Sequence, residues 1–359
     1  MRKRIYVLNY LKFLSSIVLI GMLCIVLFSI IIVGVNDKNK ISGKENKEVS
    51  KFNDDSKKNI RYKYDGKGPT INVYIHKKDK IEKMYLEDYV KGVVAGEMPA
   101  NFGLEALKAQ SVAVRTFALA HMSKFGGGRC KNAHGADICD TVHCQVYMSK
   151  DERIKKWPSK DAKKLWNKIE TSVKNTSGQI LTYNNELVLA PYYFATSSGK
   201  TENSVEVFSR AVPYLKSVSS PGEQNAPKFK SMKNYTYNEF VNAVNNVYPK
   251  AKISISNLKS AVKILERTEG GSVKKIKLGN ECTSGVNFRK LMNLNSSNFN
   301  IVFSSKGVEI NCMGYGHGVG MSQWGANAMA KQNKNYKEIL LHYYKGTKIK
   351  NIDCMFDWK

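Results

Sequence analysis

Hydrophobic positions along this chain fall into patterns of three kinds. From Phe13 to Val35 runs an apolar stretch without a charged residue, long enough to cross a bilayer as a helix. Thr70-Ile71-Asn72-Val73-Tyr74-Ile75 alternates and predicts a strand, and Tyr85 to Ala95 has a helical period. Leu104 to Met122 predicts a longer helix, apolar nearly all round and therefore buried on most sides. Lys108 and Arg115 interrupt it seven residues apart, close to two turns, so both project from one face. Two readings of that pair are open: structural cations whose stems are buried, or ligands for substrate oxygens.

Further strands are predicted at Gln179 to Tyr183, Leu187 to Phe194, Val273 to Leu278 and Asn300 to Ile310. Helices are predicted near Asp161 to Thr171, Asn238 to Asn246 and Tyr336 to Tyr344. This mixed order predicts an α+β fold, which we expect to be a two-lobed region with a cleft. From Asn36 to about Pro69 the chain is Lys, Asn, Asp, Ser and Glu with few apolar residues, a composition that cannot offset the entropy of folding. The expected organisation is therefore a short N-terminus (1–12), a transmembrane helix (13–35), a flexible tether (36–69) and a folded region (70–359).

Charge then sets topology. Arg2, Lys3, Arg4 and Lys12 precede the apolar stretch, which places the N-terminus in the cytoplasm and the rest outside. The stretch is longer than a signal-peptide core, and Gly34-Val35-Asn36-Asp37 is a poor cleavage site, so a retained anchor is expected. A formal net charge of +27 suggests nucleic acid in isolation, but an extracytoplasmic body meets lipid headgroups, teichoic acids and wall carboxylates instead. No nucleic-acid partner is expected.

Candidate chemistry begins with Glu97 in Val93-Val94-Ala95-Gly96-Glu97-Met98-Pro99. Apolar surroundings raise a carboxyl pKa, and a proton retained near neutral pH is what protonation of a glycosidic leaving oxygen requires. Ser197-Ser198-Gly199-Lys200-Thr201-Glu202-Asn203 follows Tyr192-Tyr193-Phe194 and gathers hydroxyl, amide and aromatic groups suited to a sugar. Gly314-Tyr315-Gly316-His317-Gly318-Val319-Gly320-Met321-Ser322-Gln323-Trp324-Gly325 reads as a binding loop, because its glycines permit tight backbone paths. Cys130, His134, Cys139, His143 and Cys144 lie close together in a chain with seven cysteines. That clustering suggests zinc, with a disulfide as the alternative in an oxidising compartment.

These segments, with Tyr85-Leu86-Glu87-Asp88-Tyr89-Val90, Leu104-Glu105-Ala106-Leu107-Lys108-Ala109-Gln110, Pro213-Tyr214-Leu215, Ser296-Ser297-Asn298-Phe299 and His342-Tyr343-Tyr344-Lys345-Gly346-Thr347, resemble the SpoIID/LytB family. The resemblance runs from about Thr70 to Ile349. It implies a lytic transglycosylase acting on peptidoglycan glycan strands stripped of stem peptides, during engulfment of the forespore, with the mother-cell membrane as its anchor. It implies Glu97 as catalytic acid and Lys108 and Arg115 as functional cations; Tyr193, Ser198, Lys200, Glu202, His317 and Gln323 are the further substrate-binding candidates. It also implies a zinc segment through His134, Cys139 and Cys144, with Cys130 or His143 or water completing the set, and stage II sporulation proteins P and M as partners. The rival readings are a zinc-dependent wall amidase and a non-enzymatic glycan binder that activates an amidase.

Overall fold

The computed structural model describes residues 66–125 and 127–355, all within one compact unit. The expected span at 13–35 and most of the tether lie outside the described residues. Among the described residues no helix is long and apolar enough to cross a membrane. Order begins slightly before the strand expected at Thr70, since the carbonyls of Lys67 and Pro69 accept from Glu87 N and Leu86 N.

Strand β1 (Thr70–Ile75) pairs antiparallel with β2 (Lys80–Tyr85), from Thr70 opposite Tyr85 to Ile75 opposite Lys80. Helix α1 (Leu86–Glu97) follows at once, and α2 (Leu104–His121) packs on it with an unbroken buried run from Ala109 to Ala120. That burial is why the sequence of α2 has no polar face. The short strand β3 (Ile138–Cys139) adds parallel to β1, setting Cys139 beside Tyr74. Helix α3 (Ser159–Lys174) covers α2 with Trp166, Ile169 and Val173.

Strand β4 (Gln179–Tyr183) turns into β5 (Glu186–Leu187). The strand expected from Leu187 to Phe194 is broken: only β6 (Tyr193–Phe194) resumes it. Pro191 lies in the gap and has no N–H to offer a ladder.

The chain then leaves the first core and builds a second. Its parts are β7 (Lys230–Tyr235), α4 (Tyr237–Val247), β8 (Val262–Arg267), β9 (Val273–Leu278), β10 (Glu281–Ser284), α5 (Gly285–Leu291), β11 (Phe299–Ser304) and β12 (Gly307–Met313). Two three-stranded sheets, β10-β9-β8 and β11-β12-β7, and the two helices bury Phe240, Val244, Ile276, Phe288, Phe299 and Ile310. Helix α4 starts at a capping box, Thr236 with Glu239, and its Phe240 and Val244 stand one turn apart on the buried face. The strand expected from Asn300 to Ile310 is a hairpin, turning at Ser305-Lys306, with Gly307 opening the second strand opposite Ser304 at φ of 133°.

The return path supplies β13 (Met321–Ser322), α6 (Gln323–Lys331), α7 (Tyr336–Tyr343) and β14 (Lys348–Asn351). Strand β13 runs parallel to β6, pairing Met321 with Tyr193 and Ser322 with Phe194, while β14 closes antiparallel on β4. The hydroxyl-rich and glycine-rich loops of the sequence are thereby joined to one another. The architecture is α+β, as the element order predicts.

Candidate functional site around Glu97

Glu97 ends α1, and the segment Gln145–Met148 lies against that helix. A Cβ at Gly92 would stand 2.2 Å from the ring of Tyr147, and one at Gly96 would stand 2.4 Å from the carbonyl oxygen of Val146. The two glycines, one turn apart, therefore allow the segment its close approach, which Met148 N–H to Gly92 carbonyl fastens at 3.2 Å. Stacked rings of Tyr89 and Tyr147, 5.8 Å apart, hold it from the side. One consequence is at the acid: Val146 N–H donates to Glu97 Oε1 at 2.6 Å.

The phenol of Tyr193, on β6, also hydrogen-bonds the Glu97 carboxyl. Gln145 orients that phenol by donating to it at 3.1 Å while accepting from Tyr89 Oη at 3.2 Å. Burial pushes the Glu97 pKa up, and the Val146 and Tyr193 hydrogen bonds pull it down; burial wins, and the pKa lies above the ordinary carboxyl value. The result is an acid whose proton is retained to higher pH than that of a surface glutamate, with its orientation fixed from two elements.

Two residues before Val146 lies the cysteine cluster. The ligand atoms of Cys130, Cys139, His143 and Cys144 all lie within 4.8 Å of one another, with Cys130 Sγ 3.3 Å and Cys144 Sγ 3.8 Å from His143 Nδ1. Cysteines 130, 139 and 144 are free thiols. His134, which the sequence places among the ligands, is not in this group. It takes a left-handed conformation with φ of 48°, is exposed, and stacks on Tyr74 with ring centroids 4.3 Å apart. Cys130 and His143 complete the set with Cys139 and Cys144, giving three soft sulfurs and one imidazole.

Lys108 and Arg115 part company. Lys108 is partly exposed, its Nζ 2.6 Å from Glu105 Oε1 and 5.7 Å from the Tyr336 ring centroid. Arg115 is fully buried. Its Nε and Nη2 donate to the two oxygens of Glu87 at 2.6 and 2.7 Å, and Nη1 donates to the Gln179 carbonyl at 3.0 Å. No donor is left facing solvent, so the substrate-binding reading of Arg115 gives way to a structural one: it ties the start of α1 to α2 and β4.

The two loops also divide. His317 Nδ1 accepts from Val319 N–H, which leaves Nε2–H to donate to the Tyr193 carbonyl at 3.1 Å. Burial, helped by the charge of Arg289, pushes its pKa down to about 4. A neutral His317 therefore holds the backbone of the residue whose phenol touches Glu97, and both ring nitrogens are occupied. Gly320 has φ of 81°, and a Cβ there would meet the Tyr192 carbonyl at 2.0 Å, so the loop's approach to β6 demands glycine.

Glu202 is buried; its Oε1 accepts from Ser272 N–H at 3.2 Å and its Oε2 has no protein partner. The space bounded by Glu202, Ser198, Lys200 and His317 is ≈ 10 Å³, room for about one water. Lys200 lies at its rim, 3.6 Å from Glu269, and Ser198 Oγ accepts from Asn298. Gln323 is buried with an unpartnered Nε2. These residues frame the β6–β13 junction.

One residue that sequence reasoning passed over is Glu223, alone among serines with no periodic signal. It is buried and accepts from Ser197 N–H at 2.8 Å, Ser322 Oγ at 2.6 Å and Ser220 Oγ at 2.6 Å, joining both loops. Burial pushes its pKa up to about 7. A raised carboxyl pKa means the folded state binds the extra proton, so this group adds stability below the unfolded value near 4.5 and loses it as pH rises through about 7. Glu223→Gln is therefore expected to lose more stability than the parent between pH 7 and pH 4.5, by on the order of 3 kcal/mol. Denaturant titrations at the two pH values check this.

Comparison with known proteins follows the same geography. A family model described as Stage II sporulation protein (SpoIID) matches residues 74–183, the stretch holding Glu97, the cysteine cluster and Arg115. The chain is 38% identical over 288 residues to stage II sporulation protein D of Bacillus subtilis, covering 80% of this chain and 81% of that one. The chain belongs to the stage II sporulation protein D family. The corresponding protein of Bacillus amyloliquefaciens is 37% identical over 284 residues, 79% of each chain. A protein named Amidase enhancer in Bacillus subtilis is 30% identical over 309 residues, covering 72% of this chain and 40% of its own length. Family membership thus attaches the chain to sporulation.

Proposed function

We propose that this protein is a lytic transglycosylase that cleaves the MurNAc-GlcNAc bond of peptide-stripped peptidoglycan during engulfment. The observation that carries the reading is Glu97, a single carboxyl with a raised pKa, oriented by Val146 N–H and the Tyr193 phenol. The reaction proposed needs this one carboxyl group and not the pair used by most glycoside hydrolases. Protonated Glu97 gives its proton to the bridging oxygen as the bond to C1 breaks. As a carboxylate it then takes the proton of the muramic acid C6 hydroxyl while that oxygen closes on C1. The products are a GlcNAc end and a 1,6-anhydro-MurNAc end, and no water is consumed.

The cysteine cluster fits a zinc ion held by Cys130, Cys139, Cys144 and His143. Four protein ligands, three of them thiolates, make a closed structural site rather than one with an open catalytic position, which disfavours the amidase reading. The ion's contribution would be to order the segment that presents Val146 N–H to Glu97. About one zinc per chain is expected by the tetrahedral-site rule. Cys139→Ser and His143→Ala should lose most of it, while His134→Ala keeps it. Metal analysis of the purified variants checks this; a zinc-free parent with a disulfide in the cluster, fully active in chelator, would contradict it.

The match to a protein named Amidase enhancer favours one second reading, a glycan-binding module that activates a wall amidase. The readings separate at Glu97, which a binder tolerates losing. In the cell, the reading places the protein in the mother-cell membrane by its 13–35 span, catalytic region outward, with stage II sporulation proteins P and M as partners. The deciding experiment is incubation of the purified protein with peptide-free glycan.

A further inference from the structure

A groove of ≈ 210 Å³ is walled by Tyr183, Tyr192, Phe208 and Tyr214, with Arg210 and Glu186 also on its lining. Two tilted aromatic pairs form it, Tyr192 with Phe208 at 5.1 Å and Tyr183 with Tyr214 at 5.5 Å. Ala190 N–H donates to the Tyr214 hydroxyl at 3.1 Å and fixes that ring. Phe208 is 40% exposed and Leu189 44%, so apolar surface is open to water at the groove without serving a core. Arg210 is exposed at the groove's edge, so its guanidinium is open to an incoming anion. It has no carboxylate partner among the described residues.

Tyr192 directly precedes Tyr193, and Phe208 packs at 5.4 Å against His317, which holds Tyr193. The exposed ring of Phe208 and the half-buried rings of Tyr183 and Tyr192 can meet the C–H faces of a pyranose. A guanidinium with no partner matches a carboxylate by a bidentate, charge-assisted pair, and Glu186 offers an acceptor for a hydroxyl or acetamido N–H.

We propose that this groove is a second saccharide site, holding a sugar with a free carboxylate, its anion on Arg210. The inference rests on the glycan reading above and deepens it. A muramic acid residue whose stem peptide has been removed exposes its lactyl carboxylate, whereas an amide-linked one presents no charge there. The groove would thus select stripped strands.

The test needs no turnover. Full-length protein is titrated with N-acetylmuramic acid, its lactyl methyl ester and N-acetylglucosamine at millimolar concentration, by calorimetry or saturation-transfer NMR. The acid should bind about tenfold more tightly than the other two, as expected for one charge-assisted pair. Arg210→Ala should bring the acid down to the level of its ester at unchanged melting temperature, and Arg210→Lys should recover part of the difference. Equal binding of acid and ester, absence of binding by the acid, or an Arg210→Ala variant that binds as the parent does would each overturn the proposal. A protein that cleaves glycan yet ignores the lactyl carboxylate overturns the groove and leaves the role of Glu97 standing.

Discussion

Glu97→Gln is expected to keep the fold and lose glycan cleavage by roughly a hundred- to ten-thousandfold, the range of a general acid's contribution. The amide retains an oxygen for Val146 N–H, now 2.6 Å from the carboxylate oxygen, so the packing of α1 against the Gln145–Met148 segment should survive. What is removed is the proton that the leaving oxygen needs. Melting temperature and turnover on peptide-free glycan, measured on the same preparation, separate the two effects. Turnover within a few-fold of the parent in a folded variant would remove Glu97 from the mechanism.

Arg115→Ala is expected to act through stability. The side chain is wholly buried, Glu87 is nearly so, and the pair is bidentate. Removing the cation leaves a buried, uncompensated carboxylate, which costs about 3–5 kcal/mol. The carboxylate belongs to the first turn of α1, the helix that ends in Glu97, so local unfolding there also degrades the site. Replacing both partners with apolar residues, Glu87→Leu with Arg115→Met, should cost less than Arg115→Ala alone. Thermal melts and a KM measurement on the folded fraction decide it: a raised KM at unchanged melting temperature would restore a substrate-binding role.

Much of this was legible in the sequence because it is local. The alternation at Thr70–Ile75 needs only a period of two, and the uniform apolarity of α2 only a helix with neighbours on all sides. Glu97 stood out because its flanks are apolar, and burial is what raises its pKa. The misses share one cause, in that each depends on which distant segment comes alongside. Spacing placed Lys108 and Arg115 on one helix face, but the fate of Arg115 is set by Glu87, 28 residues earlier. His134 has the right spacing for a ligand, yet a left-handed turn into Gly135 carries it to Tyr74, and His143 takes the place beside the thiols. His317 looked like a sugar ligand and instead holds the backbone of Tyr193, 124 residues away. The aromatic groove draws Tyr183, Tyr192, Phe208 and Tyr214 from separate elements, so no single window of sequence contained it.

The central claim, cleavage by Glu97 without water, is tested most directly by the chemistry of the new chain ends. Peptide-stripped glycan is digested with the purified protein in ¹⁸O-labelled water, and the fragments are analysed by mass spectrometry. The account predicts 1,6-anhydro-MurNAc ends carrying no label, produced by the parent and absent with Glu97→Gln. Reducing ends carrying ¹⁸O would show hydrolysis and contradict it, as would intact strands from the folded parent.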